Sequence, residues 1–65
     1  GTIWITGISG FAEIEVIGSL GTTMKTITND GQNSLSIDLY DFQPGVYQIK
    51  FMGESGSVVK RVVKK

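Results

Sequence analysis

Nine glycines are spread along 65 residues so that each closes one short apolar run and opens the next. This is the spacing of strands joined by tight turns, and helix signals are nearly absent between the glycines. Period-2 alternation assigns faces to the runs. In TIWIT, residues 2–6, Ile3 and Ile5 share one face and Trp4 takes the other. In AEIEVIG, Ala12, Ile14 and Val16 are expected inward with Glu13 and Glu15 outward. TMKTIT reads as a third strand in which Met24 alternates with Lys25 before Ile27 breaks the period, and LSIDL sets Leu35, Ile37 and Leu39 against Ser36 and Asp38. Gly21 in SLGTT is free to take a positive φ, and Asp30-Gly31 in NDGQN suits a hairpin or bulged loop.

FQPGVYQIKF, residues 42–51, is the most sharply punctuated stretch. Pro44 fixes its own φ, and Gly45 directly after it suits a type II turn. Tyr47, Ile49 and Phe51 then share one face, with Val46, Gln48 and Lys50 on the other, more solvated one. GESG closes a hairpin onto SVVKRVVKK, whose doubled valines put an apolar residue on each face. Six strands without a helix predict an all-β fold, a small antiparallel immunoglobulin-like β-sandwich of about six or seven strands in Greek-key or meander order.

Size limits what such a sandwich can do. A single 65-residue domain lies near the lower limit for an unassisted apolar core, and no cysteine is present to supplement it with disulfides. At 40% apolar residues the chain is too hydrophobic for a disordered segment. No run approaches the roughly 20 apolar residues of a membrane helix, and the N-terminal residues lack a signal-peptide layout.

The absence of histidine and cysteine removes the usual general base, the common nucleophile pairs and the soft ligands of structural zinc. The carboxylate pairs Glu13 with Glu15 and Asp38 with Asp41 remain. The first fits a solvated strand face, since a catalytic pair would have to flank a cleft. The second fits hydrogen bonding to turn amides. NDGQN lacks the ligand spacing of a calcium loop, and neither GISG nor GESG carries a phosphate-loop ending. No catalytic residue, cofactor or metal is therefore expected, and the chain reads as a non-enzyme. The six aromatics Trp4, Phe11, Tyr40, Phe42, Tyr47 and Phe51 fit core packing better than a stacking platform.

Net charge is zero, yet every acidic residue lies at or before Glu54, while Lys60, Arg61, Lys64 and Lys65 crowd the last strand. Such a patch suits either an aggregation-resistant strand edge or an anion-attracting surface.

Three pieces in order, IEVIGSLGTTM, IDLYDFQPGVYQIKF and the terminal SGSVVKRVVKK, resemble the C-terminal sorting domain of the type IX secretion system of Bacteroidetes. The matching positions include Gly21, the Asp38-Leu39 strand start and Gly45-x-Tyr47. The family's upstream Pro-Asn-Pro segment and preceding strand are not present, and Gln43-Pro44 departs from its usual turn. The resemblance implies that residues 1–65 are a sorting domain at the end of a larger cargo protein, trimmed of one edge strand. It implies transit through the periplasm, delivery to the outer membrane, the cell surface or the medium, and removal by a surface sortase. The implied partners are the translocon, the sortase and the attached cargo, with no nucleic acid, no direct membrane insertion, and a homodimer available through an exposed strand edge. Strand addition makes Val58, Val59, Lys60, Arg61, Val62, Val63, Lys64 and Lys65 the candidate recognition surface, with Gly21, Asp38, Pro44, Gly45 and Tyr47 setting the fold that holds it. The competing reading is an immunoglobulin-like or fibronectin-like accessory module that binds glycan or packs beside an enzyme domain.

Overall fold

The computed structural model describes residues 2–65. Among them are six strands and no helix: β1 (Thr2–Thr6), β2 (Phe11–Ile17), β3 (Thr23–Thr28), β4 (Ser34–Asp38), β5 (Gly45–Gly53) and β6 (Gly56–Lys64). All pairings are antiparallel. β1 and β4 form a two-stranded sheet, and the remaining strands form a four-stranded sheet in the order β3-β2-β5-β6. The chain leaves the larger sheet after β3 and returns as β5 beside β2, a Greek-key type of crossing that rules out a simple meander. Asp30-Gly31 consequently lies in a connection between sheets and closes no hairpin, although Gly31 does take φ +78°.

The core forms where the two sheets face each other. β5 contributes Tyr47, Ile49 and Phe51, β2 contributes Ile14 and Val16, and β4 contributes Ile37, all buried. Ile3 opposite Ile37 and Ile5 opposite Leu35 extend the smaller sheet's inner face, with Trp4 and Ser36 outside, as alternation predicts. Ile8 and Leu39 seal the ends of the sandwich from its loops. Ile8 sits in the GISG turn, where its carbonyl accepts a hydrogen bond from the Phe11 amide at 3.0 Å.

Two bulges correct the alternation. β2 pairs Phe11 with Gly53 and Glu13 with Met52, so Ala12 is an extra residue and is exposed; Phe11 packs against the core in its place. In β3, Lys25 pairs with Val16 and Thr23 with Ile17, so Met24 is the extra residue and Ile27 regains the inner face opposite Ile14. Each bulge shifts the parity of the strand by one residue, which strict period-2 counting cannot anticipate.

The bulge at Ala12 also explains a glycine. A Cβ on Gly53 would collide with the Gly10 carbonyl oxygen and lie 3.3 Å from the Phe11 Cα. Both are backbone-linked atoms that a rotamer change cannot move. Gly53→Ala is expected to destabilise the domain by about 1–3 kcal/mol, the usual range for overpacking. Thermal unfolding followed by circular dichroism checks this, with a fall of roughly 4–8 °C expected per kcal/mol in a domain of this size.

Candidate recognition surface

β6 lies at one edge of the four-stranded sheet, with β5 on one side and, among the described residues, no strand on the other. Its partners on β5 fix its faces. Val58, Lys60 and Val62 stand opposite Phe51, Ile49 and Tyr47 and so share the inner face. Val59, Arg61 and Val63 stand opposite Lys50, Gln48 and Val46 and face outward. The doubled valines therefore do place an apolar residue on each face. Val58, Val59 and Val63 are exposed, and Val62 is partly buried against the core.

The β6 edge and β1 border a common seam of the sandwich. A groove of about 300 Å³ runs between them, with Ile49 and Phe51 at its base and Ile3, Trp4, Ile5 and Lys60 among its walls. β5 sets Ile49, Gln48 and Gly45 opposite Lys60, Arg61 and Lys64, so no carboxylate of the neighbouring strand neutralises these cations.

Lys64 differs from the other basic residues. Its ammonium donates hydrogen bonds to three backbone carbonyls of the β4–β5 loop: Leu39 at 2.6 Å, Tyr40 at 3.0 Å and Phe42. The end of β6 is thereby tied to a loop more than twenty residues earlier in the chain. Removing the charge while keeping the stem, as in Lys64→Met, is expected to cost about 1 kcal/mol, because a charge-assisted bond is worth about 1.5–3 kcal/mol and solvent can rehydrate the exposed part of this one. Faster amide exchange confined to residues 39–44 would check it.

The positions expected to set the fold are distributed around this strand. Tyr47 is buried on the inner face of β5 and its hydroxyl donates to the Gln43 carbonyl four residues upstream, the arrangement of a tyrosine corner. Its ring packs on Phe42 at 5.3 Å between centroids. Asp38 accepts a hydrogen bond from the Tyr40 amide at 2.9 Å. Gly21 takes φ +84° in the β2–β3 turn, where its amide donates to the Gly18 carbonyl.

Pro44-Gly45 does not form the expected type II turn. Gly45 has φ +157° and already pairs with Lys64, whereas that turn needs about +80°. The reversal occurs earlier, where the Phe42 amide donates to the Leu39 carbonyl at 3.0 Å. The Gln43 carbonyl is directed at the Tyr47 hydroxyl, which leaves Pro44 to lead into β5.

Sequence reasoning missed Asn29. It is buried, and its side-chain amide donates to the carbonyls of Ile8, Phe11 and Gln32 at 2.9–3.0 Å, joining three segments. Its position directly after the third strand and before Asp30-Gly31 is the only local signal, and it marks a turn without indicating burial.

Glu13 and Glu15 project from the outer face of β2, with Glu15 directly opposite Lys50. Opposite charges thus face each other across neighbouring strands at two half-buried positions. Among the described residues, no group of three or more potential metal ligands converges. Phe11 and Phe51 pack at 5.8 Å between centroids, which with Phe42 and Tyr47 accounts for four of the aromatics as core; Trp4 and Tyr40 are exposed.

A family model described as the secretion-system C-terminal sorting domain matches residues 1–65. No curated protein and no solved structure matches the chain significantly.

Proposed function

The chain belongs to the type IX secretion-system C-terminal sorting domain family, and on that premise we propose that β6 is the surface the export machinery reads. The family is one of sorting signals and not of enzyme domains, and such a domain marks the protein that carries it for the cell surface or for secretion. In our reading, residues 1–65 close a larger cargo protein that crosses the periplasm behind a separate N-terminal signal. A translocon component then adds a strand to β6, and a surface sortase removes the domain and joins the cargo to anionic lipopolysaccharide.

The observation that carries this reading is the β6 edge itself: nine residues with one side unpaired, holding Lys60 and Arg61 opposite no carboxylate of β5. Unpaired backbone groups supply affinity in strand addition, and alternate side chains supply selectivity. Copy-to-copy pairing fits the uncharged β1 edge better, because antiparallel pairing of two β6 strands centred on these residues would set Lys60 against Arg61. A homodimer through β1 would appear as a concentration-dependent mass in light scattering.

Residues 1–65 fused to a signal-peptide-bearing fluorescent protein, in a host with the type IX machinery, test the β6 reading. The intact fusion is expected at the surface, and a fusion lacking residues 58–65 in the periplasm. Because that truncation also removes Val62 from the core, the deciding variant is Lys60→Glu with Arg61→Glu, both exposed positions. Export of this folded variant at the intact level would overturn the role of β6.

A further inference from the structure

From the pattern on this edge we infer that β6 selects its partner strand by register, pairing with an extended segment in which aliphatic doublets alternate with acidic doublets. The inference rests on the reading of β6 as the recognised strand and specifies the chemistry of the partner.

A strand whose only task was to close the sandwich would put its valines inside and its cations outside. VVKRVVKK divides them evenly instead. By the pairing with β5, the inner face carries Val58, Lys60, Val62 and Lys64, and the outer face carries Val59, Arg61 and Val63, with Lys65 just past the end of the strand. An inward lysine at an edge discourages indiscriminate strand pairing. Edge protection does not account for the outer valines, since Val59 is 52% and Val63 53% exposed. Two aliphatic side chains held in water on the solvent face of an edge strand favour pairing.

Both faces show the same order at the same height. Moving along the edge, an added strand therefore meets an apolar band two residues deep, a cationic band of equal depth and a second apolar band. At roughly 3.3 Å per residue each band is about 7 Å long. Residues opposite one another in adjacent strands interact most strongly, and opposite charges stabilise where unlike partners do not. The complement to Val58–Val63 is thus an aliphatic pair, an acidic pair and an aliphatic pair. Slipping it by one residue mismatches half of the contacts at each band, and slipping it by two sets acids against valines. A strictly alternating amphipathic strand offers a single residue class to each mixed face and so mismatches one contact in every band. Lys64 is already engaged with the loop carbonyls, so the cations open to a partner's acids are Lys60 and Arg61, with Lys65 beyond them.

Two peptides of equal composition test the pattern against the folded domain: acetyl-Val-Val-Glu-Glu-Val-Val-amide and its isomer acetyl-Val-Glu-Val-Val-Glu-Val-amide. Both are N-methylated on alternate residues so that only one edge can pair. The doublet peptide is expected to bind at least ten-fold tighter than the isomer, to shift the amide resonances of β6, and to lose that advantage against Lys60→Glu with Arg61→Glu. Equal binding of the two isomers, shifts confined to β1 or β3, or no binding by either would overturn the register claim.

A chain variant separates this claim from the reading beneath it. Val59→Lys with Lys60→Val conserves composition and charge and makes the inner face more apolar, so the sandwich is retained while the doublets are destroyed. Loss of reporter export in this variant supports selection by register. Export retained here but lost in the Lys60→Glu, Arg61→Glu variant refutes the doublet pattern and leaves β6 as the recognised strand. Export retained in both refutes the two together.

Discussion

Phe51→Ala is expected to leave the domain largely unfolded at 25 °C. Phe51 is 2% exposed, packs its ring on Phe11 and lies between Ile14 of β2 and Val58 of β6 across two strand pairings. Truncating a buried phenylalanine costs about 3–5 kcal/mol through lost transfer energy and the cavity left behind. A single core in a chain this short rarely supplies more than about 3–5 kcal/mol in total. The two amounts are of the same size, so the substitution removes nearly all the stability available. Loss of amide dispersion in a proton–nitrogen NMR spectrum, with a flat thermal melt, is the expected record. A cooperative melt within about 5 °C of the parent would mean that the core is centred elsewhere, since that shift corresponds to only about 1 kcal/mol. Leu20 is the matched control: it is 94% exposed in the β2–β3 turn, and Leu20→Ser is expected to change stability by no more than about 0.5 kcal/mol.

The second large effect is expected at Asn29, which no apolar bookkeeping would single out. Asn29→Ala leaves the carbonyls of Ile8, Phe11 and Gln32 without their shared donor. A buried acceptor left unpaired costs about 1–3 kcal/mol. The Ile8 carbonyl, the buried one of the three, keeps its bond from the Phe11 amide, and solvent can reach the part-buried Phe11 and Gln32 carbonyls, so about 1–3 kcal/mol is expected for the substitution. Asn29→Asp should be worse at neutral pH despite its near-identical shape, because it directs a carboxylate oxygen at three carbonyl oxygens. Urea unfolding of the two variants checks both the size and the order; an aspartate variant as stable as the parent would show that the amide is not the tie between these loops. Hydrogen exchange should localise the damage to residues 7–11 and 29–33, where the side chain acts.

These two sites mark how far the chain could be read in advance. Phe51 and its companions were legible, since Tyr47, Ile49 and Phe51 alternate with polar residues over an unbroken run and that parity leaves one arrangement. The same holds for Ile3 and Ile5 against Trp4, and for the GESG hairpin that brings Gly53 opposite Gly56. Ala12 was misplaced because an extra residue in one strand changes nothing in local composition while it reverses the face of everything before it. The turn after β4 was misplaced for a related reason. Pro44-Gly45 is a strong local turn signal, but the Tyr47 hydroxyl takes the Gln43 carbonyl and Lys64 holds the loop from the far end of the chain.

The basic edge divides along the same line. That VVKRVVKK is a strand with both valines and cations on each face follows from period-2 geometry and the order of its letters, and the family of the domain is likewise carried by its motifs in order. Which side of that strand is unpaired, which residues of β5 stand opposite its cations, and that Lys64 is turned inward to three carbonyls depend on contacts between residues far apart in the chain. Local alternation sets the face of a side chain because the pleat is a property of a single strand. Edges, bulges and loop anchors were decided only when the strands met, because each needs a partner whose position no short stretch encodes.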